Sequence, residues 1–345
     1  MNCFLLPKKV CRELEGIIRQ FWWGQQGGDK KINWLAWKKM CVSKFQGGMG
    51  FRDLEAFNLV LLAKQGWRLV HDSESLFAKV FMEKYFSNCS FLQAKVKQGC
   101  SYVWRSIATS RSVLEQGSKW CIGNGSRISI RHDRWIPDQS NTKIPYPIDS
   151  LNSEARVADL IDSDRGVWLE DVVQRWFSQV DADQILKYPL HPSLPEDVLI
   201  WWGTPSGLFT VKSAYHTAIT KLQAQSSPES SNHMEMQLFW KALWSMKLPR
   251  KVLNFVWRLC CNILPTRDNL DRHNIYTPLT CPICEYELET SIHVFGQCVY
   301  VRKVWEVTDV SLNSQVNLST RMMELLWAIW KHKGEKALKT VAVVC

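Results

Sequence analysis

Cys281-Pro282-Ile283-Cys284-Glu285-Tyr286-Glu287-Leu288-Glu289-Thr290-Ser291-Ile292-His293-Val294-Phe295-Gly296-Gln297-Cys298 carries three thiols and an imidazole in the spacing Cys-x2-Cys-x8-His-x4-Cys. Two thiolates two residues apart can grip one ion from a tight turn, and Cys281-Pro282-Ile283-Cys284 is such a knuckle. His293 and Cys298 lie about one helical turn apart and can complete a tetrahedron. Three sulfurs and one nitrogen suit zinc. The protein fills every position and leaves none for water, so one structural Zn2+ per chain is expected. A lone Cys-x2-Cys would be weak evidence, because buried cysteines are ordinary packing residues. Cys260-Cys261, on an apolar helix, reads as packing.

The rest of the chain places this module. Its 345 residues are 46% hydrophobic and 22% charged, which predicts globular structure in two or three domains. No uncharged apolar run approaches the roughly 20 residues that cross a bilayer. Met1 to Glu15 interrupts its apolar start with Lys8 and Lys9, unlike a signal peptide. An intracellular chain with no membrane partner is expected, and its 12 cysteines are then reduced thiols or metal ligands.

Net charge is +10, unevenly spread. Residues 1–140 hold 22 Lys/Arg against 11 Asp/Glu, residues 141–205 hold 5 against 11, and residues 206–345 hold 16 against 11. Two basic segments flanking an acidic one suggest a polyanionic partner, RNA or DNA, although a merely soluble basic protein has the same excess. Eighteen tryptophans serve as core anchors, or as stacking platforms where they stand in a basic groove. The clusters that combine both features are Lys30, Lys31, Lys38 and Lys39 near Trp34 and Trp37; Arg127, Arg131 and Arg134 near Trp135; and Lys247, Arg250, Lys251 and Arg258 ahead of the cysteines.

Periodicity predicts an α+β chain, mainly helical with short β-hairpins and a small zinc-binding module near the C-terminus. Val10, Leu14, Ile17, Ile18 and Phe21 mark a first helix, ended by Trp22-Trp23-Gly24. Gly47-Gly48-Met49-Gly50 lacks the Lys-Ser/Thr pair of a phosphate-binding loop and reads as a turn. Leu54 to Val70 is apolar all round, as in a helix buried between layers. Ser75 to Phe86 is another helix.

Asn124-Gly125 between two short alternating runs predicts a hairpin over 119–131, with Ile128 and Ile130 on one face and Arg127, Ser129 and Arg131 on the other. A second hairpin is expected over Val198 to Val211, with Ser213 capping the next helix. Residues 137–150 read as a linker, with weak helices after them around 167–180 and 181–187. Residues 223–232 read as a polar insertion. Helices follow over Leu238 to Met246 and after Pro249, and Thr266 caps a short one carrying Leu270. The expected segments are 1–136, basic, helical with the 119–131 hairpin; 137–197, an acidic Pro-interrupted linker or small region; 198–310, a hairpin, helices and the zinc module; and 311–345, a C-terminal helix and tail.

No catalytic constellation emerges. Asp162 and Asp164, like Asp181 and Asp183, lie in a polar acidic stretch without the converging carboxylates of a two-metal nuclease. His132-Asp133 has no nucleophile beside it. No Tyr-x-Asp-Asp or Ala-Asp-Asp run occurs.

Residues 208–305 resemble the reverse-transcriptase zinc-binding domain of plant non-LTR (LINE-type) retroelements. The resemblance rests on Phe209-Thr210-Val211-Lys212-Ser213-Ala214-Tyr215, Trp240-Lys241-Ala242-Leu243-Trp244, Lys247-Leu248-Pro249-Arg250-Lys251-Val252, Phe255-Val256-Trp257-Arg258, Leu264-Pro265-Thr266, Asn269-Leu270, the quartet with Glu289-Thr290, and Val304-Trp305. Residues 1–140 resemble the stretch that follows the polymerase in those elements, through Leu6-Pro7, Phe21-Trp22-Trp23-Gly24, Trp34, Gly47-Gly48-Met49-Gly50-Phe51-Arg52-Asp53-Leu54, Trp67-Arg68, Gly123-Asn124-Gly125 and Arg134-Trp135.

The family's Pro-Lys after the cysteine at 41 is replaced by Ser43-Lys44. The family's polymerase palm and ribonuclease H domains have no counterpart in these residues. The resemblance implies a non-catalytic, sequence-tolerant nucleic-acid-binding fragment of a degenerate element, with no small-molecule substrate, and a nuclear location by analogy. Two alternatives are a protein-interaction module and a true reverse transcriptase or ribonuclease H.

Overall fold

A computed structural model describes residues 1–24, 31–136, 154–224, 233–308 and 321–345. The helices are α1 (Lys8–Trp22), α2 (Trp37–Cys41), α3 (Leu54–His71), α4 (Leu76–Tyr85), α5 (Tyr102–Thr109), α6 (Arg111–Gly117), α7 (Glu170–Trp176), α8 (Gln179–Lys187), α9 (Val211–Ala224), α10 (His233–Ser245), α11 (Arg250–Cys260), α12 (Arg267–Arg272), α13 (Val299–Glu306) and α14 (Met322–Val344). The strands are β1 (Ser118–Cys121), β2 (Ile161–Asp162), β3 (Val167–Trp168) and β4 (Val198–Trp201). Helix therefore dominates. None of these helices is long and apolar enough to cross a membrane.

The chain folds as two compact units: Met1–Lys8 with Leu54–Ser227, and Lys9–Asp53 with Pro228–Cys345. Both are discontinuous, so boundaries at 136, 197 and 310 do not coincide with them. Composition marks stretches along the chain, whereas packing joins stretches far apart in it.

In the first unit α3 is buried along Ala56, Asn58, Val60, Leu62, Ala63, Gly66 and Leu69, as its all-round apolar sequence predicts. Gly66 is required there, because a Cβ would come within 2.8 Å of the Phe91 ring. Buried Asn58 holds the N-terminal strand of chain. Its Nδ2 donates to the carbonyls of Met1 (2.7 Å) and Phe4 (3.0 Å), and its Oδ1 accepts the Leu6 N–H at 2.7 Å. Ser75 caps α4 through the Ala78 N–H. Helices α5 and α6, unanticipated in sequence, place Trp104 in the core, stacked on Tyr85 at 4.7 Å.

The hairpin expected at 119–131 does not form. β1 pairs antiparallel with β4 instead, Ser118 opposite Trp201 and Cys121 opposite Val198. Gly123-Asn124-Gly125 wraps the carboxylate of Asp197. The Gly123 and Gly125 N–H groups donate to Oδ1 at 2.8 and 2.9 Å, and the Arg127 N–H donates to Oδ2 at 2.9 Å. Asp197 is 1% exposed. A Cβ on Gly123 would fall 1.9 Å from the Pro195 carbonyl oxygen, and Gly125 has φ +70°. These glycines serve close approach, not chain reversal.

Ile128 and Ile130 are fully buried as expected, but their backbone pairs with Ala155 and Val157. That pairing opens a core of Trp135, Val157, Leu160, Ile161, Trp168, Val173, Phe177 and Ile185. The described part of the acidic region, 154–197, is therefore folded. Residues 137–150, read as a linker, lie outside the described residues.

Of the 198–211 hairpin only the first arm is a strand. Gly207 turns the chain at φ +70° and its carbonyl accepts the Trp201 N–H at 2.8 Å, after which α9 begins. Thr210, not Ser213, caps α9, accepting the Ser213 N–H at 3.1 Å. The Ser213 hydroxyl is engaged by the buried Trp201 indole at 2.8 Å. Residues 223–224 finish α9, and the rest of the polar insertion lies outside the described residues.

The second unit packs α10, α11 and α14 around Phe239, Leu243, Val256, Trp257, Leu325, Leu326 and Ile329, joined by Trp23, Trp37 and Met40 from the N-terminal piece. The Gly47–Gly50 turn locks that piece in place. The Gly47 carbonyl accepts the Trp257 indole N–H at 2.9 Å, and at φ +87° a Cβ there would press on the Trp240 ring at 3.0 Å. α1 forms as expected, yet its apolar stripe points outward: Ile17 is 61% and Phe21 73% exposed, while Cys11 is the buried residue. Gly334 breaks α14 into two helical segments.

Candidate metal centre

Two local devices bring the quartet together. The first is a narrow turn. The Cys281 N–H donates to the Glu287 carbonyl at 2.7 Å, the Glu289 N–H to the Leu279 carbonyl at 2.8 Å, and the Glu285 N–H to the Cys281 carbonyl at 2.8 Å. Glu285 adopts φ +63° to close it. Cys281 and Cys284 face inward from this turn.

The second device is a π-helical turn over His293–Gln297, sealed by the Cys298 N–H on the His293 carbonyl at 2.8 Å. Five residues of an α-helix advance about 500°, which leaves the two side chains about 140° apart. The wider i→i+5 turn removes most of that offset.

The four donor atoms lie within 4.8 Å of one another, with Cys284 Sγ 3.3 Å from His293 Nε2. All four residues are buried, none above 6% exposed. Around them, the Arg267 guanidinium bridges Glu289 at 3.1 Å and donates to the Thr280 carbonyl at 2.6 Å. Ser291 Oγ donates to Asn262 Oδ1 at 2.9 Å, and the Trp305 indole donates to the Phe295 carbonyl at 2.9 Å. Among the described residues, Val301 is the one further apolar side chain packed against the three cysteines, so the sulfurs themselves make up most of the apolar centre of the module.

The electrostatics fit a cation at the centre. The Glu287 and Tyr286 backbone N–H groups lower the Cys284 pKa, favouring thiolate. Burial raises Cys298, and the neighbouring Cys281 and Cys284 sulfurs raise it further. Burial lowers His293, keeping its imidazole neutral and able to ligate. One thiolate is welcome and the next is opposed by the first, a conflict a divalent ion removes. Zinc–sulfur bonds of about 2.3 Å at tetrahedral angles put sulfurs about 3.8 Å apart, compatible with the observed spread.

Residues 209–305 match the family described as "zinc-binding in reverse transcriptase". The chain is 40% identical over 141 residues to an uncharacterized mitochondrial protein of Arabidopsis thaliana, covering 92% of that protein and 41% of this chain. This chain belongs to the retroelement-derived proteins that carry the reverse-transcriptase zinc-binding domain. It is also 27% identical over 320 residues to a putative ribonuclease H protein of Arabidopsis thaliana, which covers 88% of this chain and 48% of that protein. The chain thus spans about half of that longer relative. No solved structure matches. Both relatives are plant proteins, in keeping with the plant retroelement resemblance.

In this retroelement-derived chain the basic candidates are less uniform than their sequence suggests. Lys31, Lys38 and Lys39 are exposed, and Lys30 lies outside the described residues. Their aromatic neighbours are engaged elsewhere: Trp37 is buried against Phe51, and Trp34 meets His273 edge-on at 5.1 Å. Arg127 is exposed, whereas Arg131 and Arg134 are half-buried and Trp135 is only 1% exposed, so it cannot stack on a base.

Lys247, Arg250 and Lys251 stand exposed at the N-terminal end of α11. Arg258 is half-buried over the Trp23 ring at 5.3 Å, which fits a packing role. Asp133, paired in sequence with His132, accepts the Ser129 N–H at 2.8 Å and a bond from the Trp120 side chain, and burial raises its pKa. It is a structural carboxylate.

One pair was missed in sequence: Lys119 Nζ lies 4.8 Å from the centroid of the exposed Trp202 ring. Trp201-Trp202 held the signal. Adjacent strand residues face opposite ways, so one of two consecutive tryptophans must point away from the core.

Proposed function

We propose that this chain is a non-catalytic, sequence-tolerant nucleic-acid-binding module, derived from a retroelement reverse transcriptase and stapled by one structural zinc on Cys281, Cys284, His293 and Cys298. The buried, closed Cys3His cluster carries the reading. It offers no open position for substrate or water, so its ion holds structure rather than performing chemistry. When bound, zinc supplies Lewis-acid charge that keeps the thiolates together. The chain's own part is to aim backbone N–H groups at Cys284 and to keep His293 neutral.

Basic exposed groups support the nucleic-acid half. Lys247, Arg250 and Lys251 sit at a helix N-terminus, where cations and the positive end of the helix dipole together attract phosphate. Lys38, Lys39 and Arg127 add further charge.

The deciding experiment pairs metal analysis of reduced protein with anisotropy titrations of labelled oligonucleotides across salt. One zinc per chain, with affinity that falls steeply as salt rises, is expected. Absence of zinc, or no binding at low salt, defeats the respective half. The second relative's name raises the alternative of ribonuclease H activity. Cleavage of an RNA–DNA hybrid by the purified chain would replace the non-catalytic reading.

A further inference from the structure

Seventeen of the eighteen tryptophans are buried or half-buried, and Trp202 alone is exposed, at 71%. It belongs to none of the apolar cores. Its mount is nevertheless rigid. The Trp202 N–H donates to the Gly117 carbonyl at 2.8 Å. Trp201 beside it is fully buried, with its indole on Ser213. Gly117 has no room for a Cβ, which would lie 2.0 Å from the Trp201 ring.

In the β1–β4 register, Lys119 lies opposite Ile200 and Cys121 opposite Val198. With Trp202 they form the ribbon face opposite to Ser118 and Trp201. Cys121 and Val198 are exposed on it, and Ile200 is half-buried. These five residues include a cation and no carboxylate. Asp197, next in the chain, is buried and accepts three backbone N–H groups, leaving exposed Glu196 beyond the far end.

We propose that this ribbon face binds single-stranded nucleic acid, a base stacking on Trp202 and its phosphate meeting Lys119. The ammonium over one face of the indole holds the ring in orientation by cation–π attraction, and the exposed remainder is offered to a base. Aromatic rings beside cations take unpaired bases of any sequence, whereas bases within a duplex have no free face. The assignment rests on the nucleic-acid-binding reading above and locates it on residues that reading does not use.

The test uses the full zinc-loaded chain and a fluorescein-labelled 12-nucleotide pyrimidine strand, with a duplex of equal length as control. Wild-type binding to the strand is the first requirement; without it the broader reading fails. Given wild-type binding, Trp202→Ala should weaken strand affinity by about 5- to 150-fold, the range of one lost stacked base. Trp202→Phe should recover most of the affinity, and Lys119→Gln should lower the salt slope by about 0.7. Circular dichroism and melting temperature should stay at wild-type values. Unchanged affinity in Trp202→Ala, or an equal loss on duplex, overturns the proposal while leaving the broader reading intact. Retained strand binding with loss of a co-purifying protein would reassign the ribbon as a protein-docking face.

Discussion

Replacing Cys298 by Ser removes one of four donors from a cluster whose one other apolar neighbour among the described residues is Val301. Structural zinc in small modules contributes roughly 10–16 kcal/mol of apparent binding free energy. An equal share per ligand is about 2.5–4 kcal/mol, or roughly two to three powers of ten in zinc affinity. Little apolar packing stands behind the metal, so that loss should appear as local opening. Opening should start in the 279–289 turn and weaken toward Ile292 and Trp305, which are anchored in the main core of their unit. A chromogenic chelator competition gives the affinity, and hydrogen exchange gives the location. Zinc affinity within tenfold of wild type, or unchanged exchange across 279–298, would refute the reasoning. Faster exchange in α10 and α11 as well would show that the metal holds the whole unit and not a module.

Other perturbations separate structure from binding. Changing Lys247, Arg250 and Lys251 together to Gln should lower the log–log salt slope for single strands by up to about 2; an unchanged slope removes the α11 end from the interface. Asp197→Ala strands three backbone N–H groups and should destabilise by about 3–5 kcal/mol or more, read from the urea midpoint of the first unit. A change below about 1 kcal/mol would show that water replaces the carboxylate. Burial raises Cys261 and Cys345 to about 12. At pH 8 exposed Cys3, Cys89 and Cys121 should therefore alkylate first, checked by mass mapping. Those raised values also set a pH trend. Above about pH 9 the unfolded chain loses these protons while the folded chain keeps them, so each thiol lowers stability by about 1.4 kcal/mol per pH unit up to about 12.

Local signals survived into the structure where a short stretch fixes its own geometry. The Cys-Pro-Ile-Cys knuckle, the all-round apolar α3, the helix read over 75–86 and the Pro249 start of α11 all depend on neighbours within a few residues. The π turn between His293 and Cys298 did not announce itself, because the x4 spacing is shared with an ordinary helix. Asn124-Gly125 marked a real bend but named the wrong partner. A turn dipeptide says where a chain changes direction, and only packing decides that β1 meets β4, far along the sequence. The acidic excess of residues 141–205 hid a core because Val157, Leu160, Trp168, Val173 and Phe177 are spaced among solvated charges. Trp135 and Trp37 show the same limit from the other side: a tryptophan beside lysines or arginines reads alike whether it stacks outward or anchors a core.

The second unit draws on residues 9–53 and 228–345, with the first unit's main stretch between them. On the ribosome this imposes an order. Once α2 and the Gly47 turn have emerged, about 175 residues must follow before α10 begins, roughly 10–35 s at ordinary elongation rates. Through that interval Trp23, Trp37 and Met40 have no Phe239, Trp257 or Leu326 to pack on, while the stretch being made can already condense into its own unit. Until then the early segment has no completed core to join, and neighbouring nascent chains or holding chaperones can capture its apolar side chains. A pause placed just after residue 227 should prolong this exposure, and one placed before residue 54 should not.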